Sequence, residues 1–236
     1  SSKRSWLPTK GTDEMLSKLV PHEGPVPENQ RWEFGEHYRE LAAVQKAVPP
    51  PQAVAPAFAP VSGDRQEVVM VGSAGQRILT AGEILCLAGL HAGLNVTQKN
   101  DYDITVLRGP SISEMILSPQ AIDYTGSQRP SVVVALGPEG VARRKKTFAA
   151  LDATGTVIQA AGVDVPAGRA RVHRVDFKGQ GFKATDWALA SLGVMSKLGV
   201  AIRPEMLEAA LAARLKGEAL AGALETVRRV EPGQWL

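Results

Sequence analysis

The stretch Val68-Val69-Met70-Val71-Gly72-Ser73-Ala74-Gly75-Gln76-Arg77-Ile78-Leu79-Thr80-Ala81-Gly82-Glu83-Ile84-Leu85 passes from an apolar run through a tight turn into a helix. A continuous apolar run of this kind reads as a strand buried on both faces, the habit of parallel sheets. Small residues let the turn close and let the helix open beside the strand end. That is how a Rossmann-like α/β unit begins. The dinucleotide form of the motif is spoiled, because G-x-G-x-x-G needs glycine where Ala74 and Arg77 stand. The next strand, near Leu94-Asn95-Val96-Thr97, also ends without the Asp or Glu that would hold a ribose hydroxyl. Both departures argue against a nicotinamide or flavin enzyme.

Outward from this unit, strands and helices alternate to the end of the chain, which predicts an α/β fold: a mostly parallel sheet flanked by helices. Strands are predicted over 67–71, 95–98, 113–118, 131–136, 156–159 and 171–175, with 101–110 as loop or irregular strand. The first helix runs from Arg77 to about His91, where Ala92-Gly93-Leu94 forms a glycine stop. Gly137-Pro138-Glu139 opens a helix to about Leu151, with proline in the first turn where its missing donor does no harm. Further helices are predicted over 185–198, 204–215 and 217–229. The run 184–198 is rich in Ala, Gly and Ser, so it should pack closely on a neighbour.

Residues 1–60 differ in character from 61–236. They hold nine of the sixteen prolines, including Pro49-Pro50-Pro51, and the aromatics Trp6, Trp32, Phe34 and Tyr38. A helix is expected near 34–46, with extended flanks at 21–27 and 47–60, because proline fixes φ and removes a donor. So little aliphatic content cannot build a core, yet free tails are poor in tryptophan. The segment reads as an extended N-terminal docking arm ahead of the Rossmann-like domain.

Composition narrows the chemistry. A net charge of +3 over 236 residues, with only Arg143-Arg144-Lys145-Lys146 as a basic run, gives no nucleic-acid footprint. Cys86, the single cysteine, sits in the apolar run Ile84-Leu85-Cys86-Leu87-Ala88 and reads as a small buried hydrophobe. One cysteine permits no internal disulfide and no four-cysteine cluster. No apolar run approaches the eighteen or so residues that span a bilayer, and no leader is evident, so a cytoplasmic location is expected.

Two segments are candidate binding sites. The turn Gly72, Ser73, Ala74, Gly75, Gln76 presents backbone N–H groups beside a helix N-terminus, an anion cradle to which Arg77 could add charge. The stretch Val106-Leu107-Arg108-Gly109-Pro110-Ser111-Ile112-Ser113-Glu114 presents Arg108 from a bend, with Ser111 among its polar contacts. The structural alternatives, a bare strand-to-helix turn and a plain loop, remain open for both. No residues are assigned to catalysis. His22, His37, His91 and His173 lie in no nucleophile motif; His91 reads as a helix-end residue and His173 as a strand side chain. Asp101 and Asp103 lack metal-loop partners and read as solvated loop carboxylates.

Residues 71–85 resemble the G-x-G-G-Q-G-x-x-T/A-A segment of the gamma subunit of 2-oxoacid:acceptor (ferredoxin) oxidoreductases. Arg108-Gly109-Pro110-Ser111-Ile112-Ser113-Glu114-Met115-Ile116-Leu117-Ser118 is similar to that family's R-G-G-x-S-x-x-x-V-x-x-S stretch. Residues 130–136 match its D-x-L-V-A-L strand in position, and Thr185 to Gly193 resembles its late N-x-x-x-L-G-A-L helix. The likeness covers about 66–230. It implies a cytoplasmic multisubunit enzyme that oxidatively decarboxylates a 2-oxoacid to an acyl-CoA, with thiamine diphosphate, Mg2+ and [4Fe-4S] clusters held by other chains. The implied partners are alpha, beta and ferredoxin-like delta subunits and coenzyme A, with neither nucleic acid nor membrane. In that setting this chain is structural, inactive alone, and could help form the coenzyme A site through Gly72 to Arg77, Arg108 and Ser111. Ala74 and Arg77 replace family glycines, and Pro110 replaces the second glycine of R-G-G, which puts inherited phosphate contacts in question. The arm lies outside the usual gamma core and would suit a larger assembly. A phenylglyoxylate oxidoreductase forming benzoyl-CoA, with a separate FAD subunit that reduces NAD, is one such assembly. A stand-alone nucleotide- or phosphate-binding regulatory module is the alternative reading.

Overall fold

The computed structural model describes residues 5–6, 21–22, 54–102 and 108–235. Contacts divide the chain into two units, Ser1–Ala53 and Val54–Leu236. In the first, β1 (Ser5–Trp6) and β2 (Pro21–His22) pair antiparallel, Ser5 opposite His22 and Trp6 opposite Pro21. The helix expected over 34–46 lies outside the described residues. Residues 54–60, read from sequence as arm, belong to the second unit. The Ala57 and Phe58 N–H groups donate to the His91 carbonyl at 2.8 and 3.1 Å, and Phe58 packs on the core.

The second unit is built on a seven-stranded sheet in the order β4-β5-β3-β6-β7-β8-β9. Its strands are β3 (Gln66–Ser73), β4 (Asn95–Tyr102), β5 (Pro110–Ser118), β6 (Val132–Ala135), β7 (Thr156–Ala160), β8 (Arg171–Val175) and β9 (Gln234–Trp235). Strands β3, β6, β7 and β8 are mutually parallel. β5 runs antiparallel between β3 and β4, so β4 shares the common sense, and β9 reverses at the far edge. Five of the seven strands thus point one way, the mixed but predominantly parallel sheet of an α/β domain.

Burial explains which strands sit inside. Val68, Met70, Val71, Val132, Val133, Val134 and Ile158 are essentially inaccessible, as central strands covered on both faces must be. β4 was expected to stop at Gln98 but continues to Tyr102 through Lys99, Asn100 and Asp101. An edge strand tolerates these polar residues because one flank stays in water. β9 carries no sequence signal of its own.

Helix α1 (Ile78–His91) follows β3 and ends in a Schellman turn, Leu94 N–H bonding to the Gly89 carbonyl and Gly93 N–H to that of Leu90. The helix predicted over 138–151 is two pieces, α2 (Pro138–Arg143) and α3 (Lys145–Ala149). They are broken at Arg144, whose φ of −115° and ψ of 28° leave helical geometry. Above the α1 face lie α4 (Trp187–Lys197), α5 (Pro204–Arg214) and α6 (Gly217–Arg229). A Cβ on Gly193 of α4 would stand 2.7 Å from the Val227 carbonyl oxygen and 2.9 Å from Val227 Cα of α6. The small-residue run therefore does pack tightly on a neighbour, as expected.

At the opposite end of β3 from the turn, buried Glu67 gathers a loop. Its Oε2 accepts from Ser127 Oγ at 2.8 Å, Gln128 N at 2.6 Å and Arg129 N at 2.7 Å, while Oε1 accepts from Arg65 Nε at 2.9 Å. Burial pushes this carboxyl upward, but the Arg129, Ser127, Gln128 and Arg65 donors outweigh it and hold it below its ordinary 4.5.

Two stability predictions follow from these contacts. Gly193→Val should lower urea-denaturation stability by about 2–3 kcal/mol through overpacking, whereas Gly222→Ala, with open space at the Cβ position, should raise it by about 1 kcal/mol. Glu67→Gln should cost about 2–3 kcal/mol at neutral pH. The wild-type contribution is complete above the ordinary carboxylate value and is lost as pH falls through the lower native one. The gap between wild type and Glu67→Gln should therefore close on acidification, as read from urea midpoints across pH.

Candidate functional site

The turn after β3 meets the turn after β6 where the connections part to opposite faces of the sheet. Gln98 of β4 donates to the Leu79 carbonyl of α1 at 2.9 Å and to Ser113 Oγ of β5 at 2.9 Å, so these residues face α1. Glu114, the next residue of β5, faces the other way and meets Arg144 between α2 and α3. Helices α1 and α2 therefore cover opposite faces. In doubly wound sheets the crevice at such a switch point is where ligands usually bind.

Here the protein fills that crevice itself. The Ser73 N–H donates to Gln76 Oε1 at 2.7 Å, and Gln76 Nε2 donates to the Leu136 carbonyl at 2.9 Å. The Ser73 hydroxyl donates to the Glu139 carboxylate, which with the Glu139 backbone N–H holds that carboxyl below its ordinary range. A Cβ on Gly137 would collide with Ser73 Oγ and fall 2.7 Å from Ser73 N. The turns after β3 and β6 are therefore in close contact at this point. The Ala74 N–H is used by the Gly109 carbonyl at 2.9 Å and that of Gln76 by the Ser73 carbonyl at 3.2 Å. Most of the expected cradle donors are thus spent within the protein.

What stays open is the start of α1. It has no side-chain cap and no acidic residue in its first turn, so its dipole end is uncompensated. Arg77, exposed at the N-cap, has φ 58° and ψ 32°. An L side chain in the left-handed region costs about 1–2 kcal/mol, so the glycine-like backbone is kept while a charge is added. Ala74 takes no positive φ, and it replaces glycine there without that cost. Pro110 begins β5, where a missing N–H is tolerated.

The structure joins the two candidate segments. Gly72 stands opposite Ser111 and Ser73 opposite Pro110 in the β3–β5 register. Arg108 is exposed at the end of the β4–β5 hairpin, Ser111 is buried, and Gly75 is exposed in the turn with φ 88°. From Arg77 a largely apolar cleft of about 430 Å3 runs between α1, α4 and α6, with Asp186 and Glu218 among its polar lining.

Sequence reasoning missed the ion cluster at the hairpin root. Asp101, expected to be a solvated loop carboxylate, lies in β4 and forms ion pairs with Arg144 at 3.2 Å and Arg143 at 3.7 Å. Arg144 also meets Glu114 at 2.7 Å, and Glu114 accepts the Ser127 N–H at 2.8 Å. Only the basic run at 143–146 hinted at it. His173 is a buried strand residue whose imidazole is pushed down by burial and by Arg171. Buried Cys86 has its thiol pushed up to about 12 by burial and by Glu83.

These donors do not fit a cluster or a diphosphate-bound metal. Among the described residues no three His, Cys, Asp or Glu side chains converge as ligands, and an iron–sulfur cluster needs several thiolates. No described helix is long and apolar enough to cross a membrane.

Comparison with known proteins places the chain. It is 32% identical over 78 residues to the 2-oxoglutarate synthase subunit KorC of Methanothermobacter marburgensis, a match taking in 33% of this chain and 42% of that one. The chain thus spans less than half of that relative. The keto/oxoacid ferredoxin oxidoreductase gamma subunit of Geobacter sulfurreducens shares the fold, with TM-score 0.55 and 20% identity over 70% of this chain and 98% of that one. A 2-oxoglutarate:ferredoxin oxidoreductase from Magnetococcus marinus, with 2-oxoglutarate, coenzyme A and succinyl-CoA bound, shares it too. There the TM-score is 0.60 and the identity 18%, over 71% of this chain and 30% of that one. The model of the pyruvate ferredoxin/flavodoxin oxidoreductase family matches residues 67–230, close to the 66–230 over which the sequence resemblance runs. The chain belongs to the pyruvate ferredoxin/flavodoxin oxidoreductase family.

Proposed function

We propose that this chain is the gamma-type subunit of a 2-oxoacid:acceptor oxidoreductase that converts a 2-oxoacid and coenzyme A to an acyl-CoA. Alpha, beta and ferredoxin-like delta partners would hold thiamine diphosphate with Mg2+ and the [4Fe-4S] clusters. Those groups supply the carbanion and electron chemistry; this chain positions, covers and binds. The observation that carries the reading is the convergence of the two candidate segments: the Gly72–Ser111 register and the Ala74–Gly109 bond bring the α1 start and the Arg108 bend to one end of the sheet.

The roles within that end differ. Gln76 and Ser73 act inward, shaping the turn through Leu136 and Glu139. Arg77 and Arg108 face solvent and make no ion pair among the described residues. Two cations flanking an uncapped helix start suit the phosphates of coenzyme A.

Tagged chain expressed in its native cell should co-purify with cluster-bearing subunits, and alone it should be inactive. In the complex, Arg77→Ala and Arg108→Ala should each raise KM for coenzyme A about tenfold, the worth of one charge-assisted contact of roughly 1.5 kcal/mol. Turnover by the isolated chain, or unchanged coenzyme A saturation in both variants, would sink the proposal. Gln76→Ala should instead cost about 2–3 kcal/mol of stability, because Ser73 N and Leu136 O lose their buried partner; a thermal melt of the body reads this directly.

A further inference from the structure

Two large apolar side chains are exposed among the described residues, Tyr102 at 60% and Tyr124 at 45%. Tyr124 is already stacked, with the Arg65 guanidinium 5.0 Å from its ring centre. Tyr102 has no ring or cation partner among the described residues, yet it stands at the last position of β4, where the strand is firmly held. Its neighbour Asp101 is tied to Arg144 at 3.2 Å and to Arg143 at 3.7 Å on the opposite face of the sheet. Strand alternation then commits Tyr102 to the α1 face, the face of Gln98 and Asn100.

Its place on that face is defined by register. Tyr102 lies opposite Ser111, and Ser111 lies opposite Gly72 at the turn. The start of α1 sits over Gln98, whose amide donates to the Leu79 carbonyl at 2.9 Å. Tyr102 is four residues further along, about 13 Å at the strand rise. The ring thus stands beyond the helix, at the end of the sheet where the turn opens and Arg108 leaves the hairpin.

We propose that Tyr102 is the stacking platform for the adenine base of coenzyme A, with Arg77 and Arg108 taking the phosphates beside it. The assignment rests on the coenzyme A reading above and adds a contact to the base beside the phosphate contacts of the two arginines. A base needs a flat apolar face, and aromatic stacking on one base is worth enough to change affinity several-fold to a hundredfold. Cations alone would hold any polyphosphate.

The test uses the purified complex with two thiols, coenzyme A and pantetheine, which lacks the nucleotide. Tyr102→Ala should lower the ratio of kcat/KM for coenzyme A to kcat/KM for pantetheine about tenfold, and Tyr102→Phe should keep the wild-type ratio. An unchanged ratio in Tyr102→Ala, while Arg77→Ala and Arg108→Ala lower it, overturns the stacking role alone. An unchanged ratio in all three overturns the shared coenzyme A site and this assignment with it. Equal loss with both thiols in Tyr102→Ala, restored by Tyr102→Phe, also overturns it, because the ring would then be packing against a neighbouring subunit.

Discussion

The Gln76 side chain, with its oxygen on the Ser73 N–H and its nitrogen on the Leu136 carbonyl, ties the end of β3 to the end of β6 at the centre of the sheet. Both bonds lie in a close-packed seam, where each unpaired group would cost its full desolvation. The rest of this end is arranged around that tie. Gly137 can approach Ser73 only because it lacks a side chain, Glu139 takes the Ser73 hydroxyl, and Arg77 is left to start α1 from a left-handed backbone. A fold that would ordinarily keep its switch-point crevice for a nucleotide has filled it. The uncapped start of α1 lies to one side of it, next to the β3–β5 register that carries Ser111.

That arrangement depends on β5 being inserted antiparallel between β3 and β4. A helix crossover from β3 straight to an adjacent parallel strand would have left Arg108 elsewhere. The insertion places Gly109 against the turn, and the Asp101–Arg144–Glu114 cluster ties β4 and β5 to the helix pair beyond β6. These groups are only partly exposed, so solvent screens them less than a surface pair, though isolated pairs of this type contribute modestly. Glu67 anchors the far end of β3 with four donors. Charge on this body is therefore used mostly to hold polar loops onto a sheet that hydrophobic burial has already formed.

Two reactive side chains, Cys86 and His173, are buried in the body. The Cys86 thiol, pushed up to about 12 by burial and by Glu83, is protonated at neutral pH, and His173 is a buried strand residue. The chain belongs to an oxidoreductase family, and its described residues offer no group of three or more metal-ligating side chains.

Much of the framework was legible from contiguous residues. The β3–α1 unit, the stop at Gly93, the buried β6, the helix starts at Pro138, Pro204 and Gly217 and the burial of Cys86 all follow from periodicity, capping and proline geometry, which act within one turn or strand. The extension of β4 to Tyr102 was hidden, because an edge strand has no buried face along its whole length to impose alternation. An apolar run does not encode its direction, so the reversal of β5 was invisible as well. The break at Arg144, the pairing of Asp101 and the inward turn of Gln76 come from partners tens of residues away. The candidate residues could be named from sequence, since glycine, arginine and small polar side chains mark tight turns. Only tertiary structure could say which of them face each other across strands and which spend their hydrogen bonds on the fold, because register and burial are set by the whole sheet.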